Sequence, residues 1–285
     1  MSIIMNGKEL AQQLAEKQKT RVKLLIDKHQ HQPSLCVVTV GEDDASSVYV
    51  RQKKRACEEL GILFHHVVLP GDIDQMLLNT CILRNRCIRG SDGVILQLPI
   101  PKHLDPVKAG EYISPCQDVD GFGLANMGAL QEGLPNAVEP CTPKGILYML
   151  RAYNVLLDGA HAVVVGRSNI VGKPMAAMLT NANCTVTLCH SHTKNLSEMT
   201  RAADILVSAV GKAGFIQADM VKPGAAVVDV GINRKEDDTL CGDVDFKAVK
   251  DICGWISPVP GGVGKMTVAM LMENTITAAE KSIGL

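Results

Sequence analysis

A chain of 285 residues with a formal net charge of -1, 46% hydrophobic and 21% charged residues has room for one large or two ordinary domains with a real core. The near-neutral balance gives no footprint for nucleic acid or an acidic membrane surface. No apolar run approaches the roughly eighteen residues of a membrane span, and the first residues lack a signal-peptide pattern, so the cytoplasm is the expected compartment. Aromatics are 3% of the chain, which leaves Val, Ile, Leu, Met and Ala to build the core. The ten cysteines contain no Cys-x-x-Cys pair and no zinc spacing; they read as reduced, mostly buried thiols, and no metal site is expected.

In chain order, MSIIMNGKELAQQLAEK enters an amphipathic helix within a few residues. Leu35 to Gly41 reads as a buried strand, and Ser46 to Leu60 as a helix stopped by Gly61. FHHVVLP is a second strand, a helical stretch follows, and Gly93 to Pro101 (GVILQLPIP) is a third strand. Apolar strands without polar alternation, separated by helices, predict a parallel sheet covered on both faces. The texture changes at Pro135 to Pro143, and a helix begins near Thr142 with Pro143 in its first turn. A second βα series follows: HAVVVG, a helix after Gly172, TVTLCH, a helix from Asn195, ILVSAVG and AAVVDVGI. The last helix, about Thr267 to Ile283, has no strand after it and is expected to return to the first domain. The fold class is therefore α/β with two α/β domains, residues 1–138 plus 267–285 and residues 139–266.

His161 to Pro174, HAVVVGRSNIVGKP, places a glycine turn between a strand and a helix, the setting of a dinucleotide fingerprint on a Rossmann-type parallel sheet. Helix N-terminal amides can face a pyrophosphate there. The spacing is G-x-S-x-x-x-G, which by itself also fits an ordinary tight βα turn. The second strand of this series ends in His190, Ser191, His192 and Thr193 without the acid that a ribose 2′-hydroxyl takes, and Arg167 lies in the glycine turn. An arginine, a hydroxyl and no carboxylate point to a 2′-phosphate, hence NADP.

In the first domain Tyr49 and Lys53 are four apart and share a helix face. A lysine beside a phenol can do acid–base work, although Lys53-Lys54-Arg55 also fits a solvated basic face. Gln97 stands at the carboxyl end of its strand, where ligands of such sheets bind. Asp118 and Asp120 form an acidic loop, QDVDGFG, that also fits a simple Asx turn. SPVPGGVGKMT, with Pro260 and Gly261, permits close backbone approach to a ligand. DVGIN, with Ile232, ends a strand where a nicotinamide would lie.

These segments, in order, closely resemble the methylenetetrahydrofolate dehydrogenase/cyclohydrolase family: NGKELA, YVRQKKRACEELGI, DGVILQLPIP, DVDGF, EPCTPKGI, VVVGRSNIVGKPM, CHSHTKNL, DILVSAVGKAGFI, VVDVGIN, GDVDF and SPVPGGVG. The resemblance spans nearly the whole chain. It implies a homodimer with a folate cleft between two domains, NADP-dependent oxidation of 5,10-methylenetetrahydrofolate, and hydrolysis of the methenyl product to 10-formyltetrahydrofolate. It further implies that Lys53 is the catalytic lysine, that Tyr49 stacks on the p-aminobenzoyl ring, that Gln97 orients Lys53 and that Asp120 holds the pterin. By the same resemblance Pro260 and Gly261 border the substrate, and Gly166, Arg167, Ser168, Ser191 and Ile232 contact the cofactor.

Three positions depart from the family pattern: Gln117 for lysine, His192 for the basic residue after His-Ser, and Lys265 for the proline of GGVGPMT. They bear on cofactor preference, the balance of activities and the folate-side loop. A short-chain dehydrogenase, which Tyr49-x-x-x-Lys53 mimics, is excluded because its glycine turn precedes the pair. A monofunctional dehydrogenase and a non-catalytic NADP-binding regulator stay open as alternatives.

Overall fold

The computed structural model describes residues 2–41, 44–235 and 237–285, with only the backbone of residues 44–46; Met1, the first residue of the expected first domain, lies outside them. The elements in chain order are β1 (Ile3–Ile4), α1 (Gly7–His29), β2 (Ser34–Val40), α2 (Asp44–Leu60), β3 (Leu63–Leu69), α3 (Gln75–Arg84), α4 (Arg86–Arg89), β4 (Gly93–Leu96), α5 (Pro106–Gly110) and α6 (Leu124–Gln131). They continue with α7 (Cys141–Ala152), β5 (His161–Val165), α8 (Gly172–Asn181), β6 (Thr185–Cys189), α9 (Leu196–Arg201), β7 (Ile205–Ser208) and β8 (Ala226–Asp229). The chain closes with β9 (Asn233–Arg234), β10 (Leu240–Cys241), α10 (Phe246–Val249), β11 (Trp255–Ile256) and α11 (Val263–Ser282).

The chain divides into two compact units. One holds Met1–Gln12, Leu130–Gly133 and Thr142–Thr267; the other holds Gln13–Ala129, Leu134–Cys141 and Val268–Leu285. The first is built on a six-stranded sheet of order β1-β11-β8-β7-β5-β6, every pairing parallel. From β5 the chain steps out to β6 and returns on the other side as β7, so the topological switch point lies between β5 and β7. Val163, Val165, Leu206, Val227 and Ile256 form its core with residues of the crossovers.

The start of the chain corrects the expected boundary. Residues 2–5 enter a strand before any helix, because Ile3 and Met5 donate to the carbonyls of Gly254 (2.8 Å) and Ile256 (2.8 Å), and Met5 is wholly buried. Residues 2–12 thus belong with the six-stranded sheet, not with the first domain. Gly7 then fits where a Cβ would lie 2.2 Å from the Gly262 carbonyl oxygen, which makes glycine obligatory at the head of α1.

The second unit has a parallel sheet of order β3-β2-β4. β2 is buried along its whole length, as its unbroken apolar sequence requires in the central position. Cys36, Val38, Leu78, Ile82, Ile88 and Val94 form the core beside it. The third strand is shorter than Gly93 to Pro101: β4 stops at Leu96, since Pro99 and Pro101 have no N–H for a ladder. α11 begins a turn earlier than expected, at Val263, and its part from Val268 belongs to this unit, where Asn274 Nδ2 donates to the carbonyls of Val119 and Glu139 (both 2.9 Å). Arg21 of α1 pairs there with Glu273 and Glu280. None of the ten cysteines is in a disulfide, and six of them are buried.

Asp92 fixes this unit at the start of β2. Its buried carboxylate accepts the Ser34 amide (2.9 Å), the Ser34 hydroxyl (2.8 Å) and the Ser282 hydroxyl (3.1 Å), and meets His31 Nε2 (2.8 Å). Asp92→Ala leaves a buried amide without an acceptor and is expected to cost about 3 kcal/mol in urea unfolding. A loss under about 0.5 kcal/mol would show that the cluster is not structural.

Candidate functional site

In the three-stranded unit, α2 divides its basic run. Lys54 and Arg55 are exposed and pair with Glu58 (3.8 Å) and Glu59 (2.8 Å) one turn on, so they are the solvated face. Lys53 is partly buried, next to a stripe of buried Val50, Cys57 and Leu60, and its Nζ donates to Gln97 Oε1 at 2.8 Å. Gln97 is locked from both sides. Its backbone amide donates to Val38 O (2.8 Å), and its Nε2 donates to Leu98 O (2.7 Å), which leaves Oε1 for the lysine. Tyr49, one turn before Lys53, is 44% exposed.

The two acids of DVD have different tasks. A parallel bridge between Val94 and Asp118 carries the loop past β4. The Asp118 carboxylate accepts the amides of Gly121 (3.0 Å) and Gly123 (2.8 Å) and Asn126 Nδ2 (2.9 Å). Asp118 is therefore the turn former. Gly121 has φ +71° and no space for a Cβ, which would sit 2.4 Å from Val138 O. Asp120 takes no part in that turn: burial pushes its carboxyl above the usual carboxylate range, while the charge of Lys53 pulls it down. Cys141 Sγ lies 3.6 Å from Asp120 Oδ1. Gln117, one of the departures, ties the loop to the α4 segment by donating to the carbonyls of Ile88 (3.2 Å), Arg89 (3.3 Å) and Ser91 (2.5 Å).

In the six-stranded unit the predicted cofactor residues gather at the carboxyl ends of β5, β6 and β8. Gly166 has φ +119°, and a Cβ there would lie 2.2 Å from Ala209 O; a Cβ on Gly172 would lie 1.9 Å from Gly166 O. These glycines press the turn, the head of α8 and the loop after β7 together. Ser168 Oγ accepts the amides of Val171 (3.2 Å) and Gly172 (3.4 Å), so it caps the helix and still has its own proton to donate. The amides of Arg167, Ser168, Asn169 and Ile170 have no acceptor among the described residues. Four successive N–H groups left without an acceptor, beside an exposed Arg167, are a donor set that fits a dinucleotide diphosphate.

At the end of β6 the turn His190–Thr193 is closed by Thr193 Oγ1 accepting the His190 amide (2.8 Å), which leaves Ser191 exposed. The rings of His190 and His192 meet edge-on with centroids 6.0 Å apart. Ile232 is 54% exposed just past β8. Gly261 has φ +107° and its carbonyl accepts the Lys8 amide (2.9 Å), so the Pro260–Gly261 loop is anchored to the head of α1. Lys265 is exposed in the first turn of α11, not in that loop as expected.

Sequence reasoning missed the buried anchors under these loops. Asp229 accepts the amides of Gly231 (2.9 Å), Asp243 (2.8 Å) and Val244 (2.9 Å); burial pushes its carboxyl up to about 6 while those amides pull it back. Ser257 Oγ accepts the Asp229 amide (2.8 Å). Asp243 collects the loop after β7. DVGIN and GDVDF carried the signal, but a single aspartate has no period that separates an anchor from a ligand contact. Among the described residues no group of three metal-ligating side chains occurs.

A doubly wound sheet with a glycine nest at its switch point, together with a second α/β unit carrying a lysine–amide–carboxylate set, defines a dinucleotide-dependent dehydrogenase. Residues 5–120 match the catalytic-domain model, and residues 140–283 the NAD(P)-binding-domain model, of tetrahydrofolate dehydrogenase/cyclohydrolase, and the chain belongs to that family. It is 50% identical over 282 residues to the bifunctional protein FolD of Dechloromonas aromatica (strain RCB), covering 99% of each chain. Among solved structures, the FolD methylenetetrahydrofolate dehydrogenase/cyclohydrolase of Campylobacter jejuni matches with a TM-score of 0.95 and 42% identity over 99% of this chain and 100% of that one. The Trypanosoma brucei enzyme, complexed with NADP and an inhibitor, matches with a TM-score of 0.92 and 33% identity over 100% and 99%. The protein is thus an enzyme with dehydrogenase and cyclohydrolase activities and an NAD(P) cofactor.

Gly172→Ala is expected to weaken dinucleotide binding at least tenfold in calorimetry, because the added methyl meets backbone rather than a movable side chain. Unchanged affinity would remove the glycine nest from the cofactor site.

Proposed function

We propose that the chain oxidises 5,10-methylenetetrahydrofolate with NADP and hydrolyses the resulting methenyl compound to 10-formyltetrahydrofolate, as a cytoplasmic homodimer. No helix among the described residues is long and apolar enough to cross a membrane. The observation that carries the catalytic reading is the 2.8 Å bond from Lys53 Nζ to Gln97 Oε1, on a lysine set apart from its solvated neighbours.

Bound NADP supplies the hydride acceptor. Arg167, Ser168, Ser191 and the free amides of residues 167–170 would hold its phosphates, and Ile232 would border the nicotinamide. The 2′-phosphate preference rests on Arg167 and the Ser191 hydroxyl at the end of β6, with no carboxylate at that strand end. On the folate side Tyr49 offers a ring face to the p-aminobenzoyl group, and Asp120 accepts from the pterin N–H groups. Loss of hydride leaves a cationic carbon, and Lys53 is the group that helps deliver the attacking water to it. Gln97 Oε1 accepts from Lys53 Nζ and so fixes where that nitrogen meets water. Water adds to the carbon, its proton leaves, and the ring C–N bond opens to the formyl product. Pro260 and Gly261 present backbone to the substrate.

Retention of Lys53, Gln97 and Asp120 favours both activities over a dehydrogenase alone or a cofactor-binding regulator. The test is hydrolysis of added methenyltetrahydrofolate by wild type and Lys53→Met. The variant is expected to lose at least a hundredfold in rate while binding folate within a few-fold. Hydrolysis at the wild-type rate would overturn the role of Lys53. Faster reduction of NAD than of NADP by wild type would overturn the roles of Arg167 and Ser191.

A further inference from the structure

Asp243 is wholly buried in the six-stranded unit, and its side chain meets no cation among the described residues. Oδ2 accepts the amides of Val210 (2.7 Å) and Gly211 (3.1 Å), with Ser208 Oγ at 3.4 Å. Oδ1 accepts the amide of Lys212 (2.9 Å) and Nδ2 of Asn233 (3.0 Å). Lys212 does not neutralise it; that ammonium stands over the Phe215 ring, 5.8 Å from its centroid. A carboxylate accepts at both oxygens and needs no donor in return, which suits a site supplied with four N–H groups and the Ser208 hydroxyl.

The segments it gathers follow β7 and β8, on the side of the switch point away from β6. A dinucleotide spans the carboxyl edge of such a sheet, with its 2′-phosphate end over the β6 side and its nicotinamide end over the β7 and β8 side. Ala209 O, one residue before the gathered amides, is the atom against which Gly166 must remain a glycine. On the other side a Cβ on Gly231 would lie 2.2 Å from Asp243 Oδ1, and Asn233 is held directly; Ile232 is fixed between them. One carboxylate therefore sets two loops. Neither loop includes Arg167, Ser168 or Ser191.

We propose that Asp243 is the positioning residue for the nicotinamide half of the cofactor site, holding residues 209–212 and 231–233 in register with the glycine turn. This rests on the NADP reading above. An amide cannot replace the carboxylate, because either orientation of an Asn turns its NH2 toward two N–H donors.

The experiment is calorimetric titration of wild type, Asp243→Asn and Asn233→Ala with NADP and with 2′,5′-ADP, which carries the 2′-phosphate end but no nicotinamide. Asp243→Asn is expected to bind NADP at least tenfold more weakly and 2′,5′-ADP within twofold of wild type. Asn233→Ala, which removes one donor and leaves the charge, is expected to show the same selectivity at three- to fivefold, and carries the test if Asp243→Asn does not fold. Equal weakening of both ligands, as a general loosening of the unit would give, or no weakening of NADP, overturns the proposal alone. A wild type that binds neither ligand overturns the NADP reading and the proposal with it.

Discussion

Where a parallel strand gives way to a loop, its backbone amides lose their ladder partners and must find others or be exposed. This chain meets that constraint with buried aspartates. Asp92 holds the entry to β2, Asp118 the loop after β4, Asp229 the exit of β8 and Asp243 the exit of β7. Each accepts more than one donor, and Asp118 and Asp243 sit directly under segments that carry proposed ligand contacts. The loops tied by these four aspartates are thus bonded to buried acceptors, though they have no regular structure.

The groups proposed for the chemistry are those that these anchors leave over. In DVD, Asp118 is spent on amides and Asp120 is not; in the basic run, Lys54 and Arg55 are spent on glutamates and Lys53 is not. The glycine turn repeats the pattern, since Ser168 caps α8 while four amides before it stay unpaired. Residues held ready for a ligand cost the fold energy, and the anchors offset that cost.

The alternation of apolar strands and helices and the glycine turn were legible in the sequence, because each is a pattern of period or of residue type at fixed spacing; the pairing of Lys53 with Gln97 was implied only by the family resemblance. β1 was not legible. Two isoleucines have no period, and they form a strand only because Trp255 and Ile256 offer an edge about 250 residues away in sequence. The early stop of β4 follows from Pro99 and Pro101, a rule available in the sequence but outweighed by the apolar run. Asp229 and Asp243 looked like any loop acids until their amide partners were visible. Gln117, where the family pattern has lysine, serves in a backbone staple that spacing could not reveal.

The central claim is that anchoring and chemistry are divided between neighbouring residues, and Asp120→Asn tests it most directly through urea unfolding and folate binding measured on the same protein. The substitution removes a carboxylate whose charged form burial disfavours, so stability is predicted to stay level or rise, while folate affinity falls at least tenfold. A variant that unfolds more easily and still binds folate as wild type does would show that Asp120 is an anchor like Asp118, and the division would be contradicted.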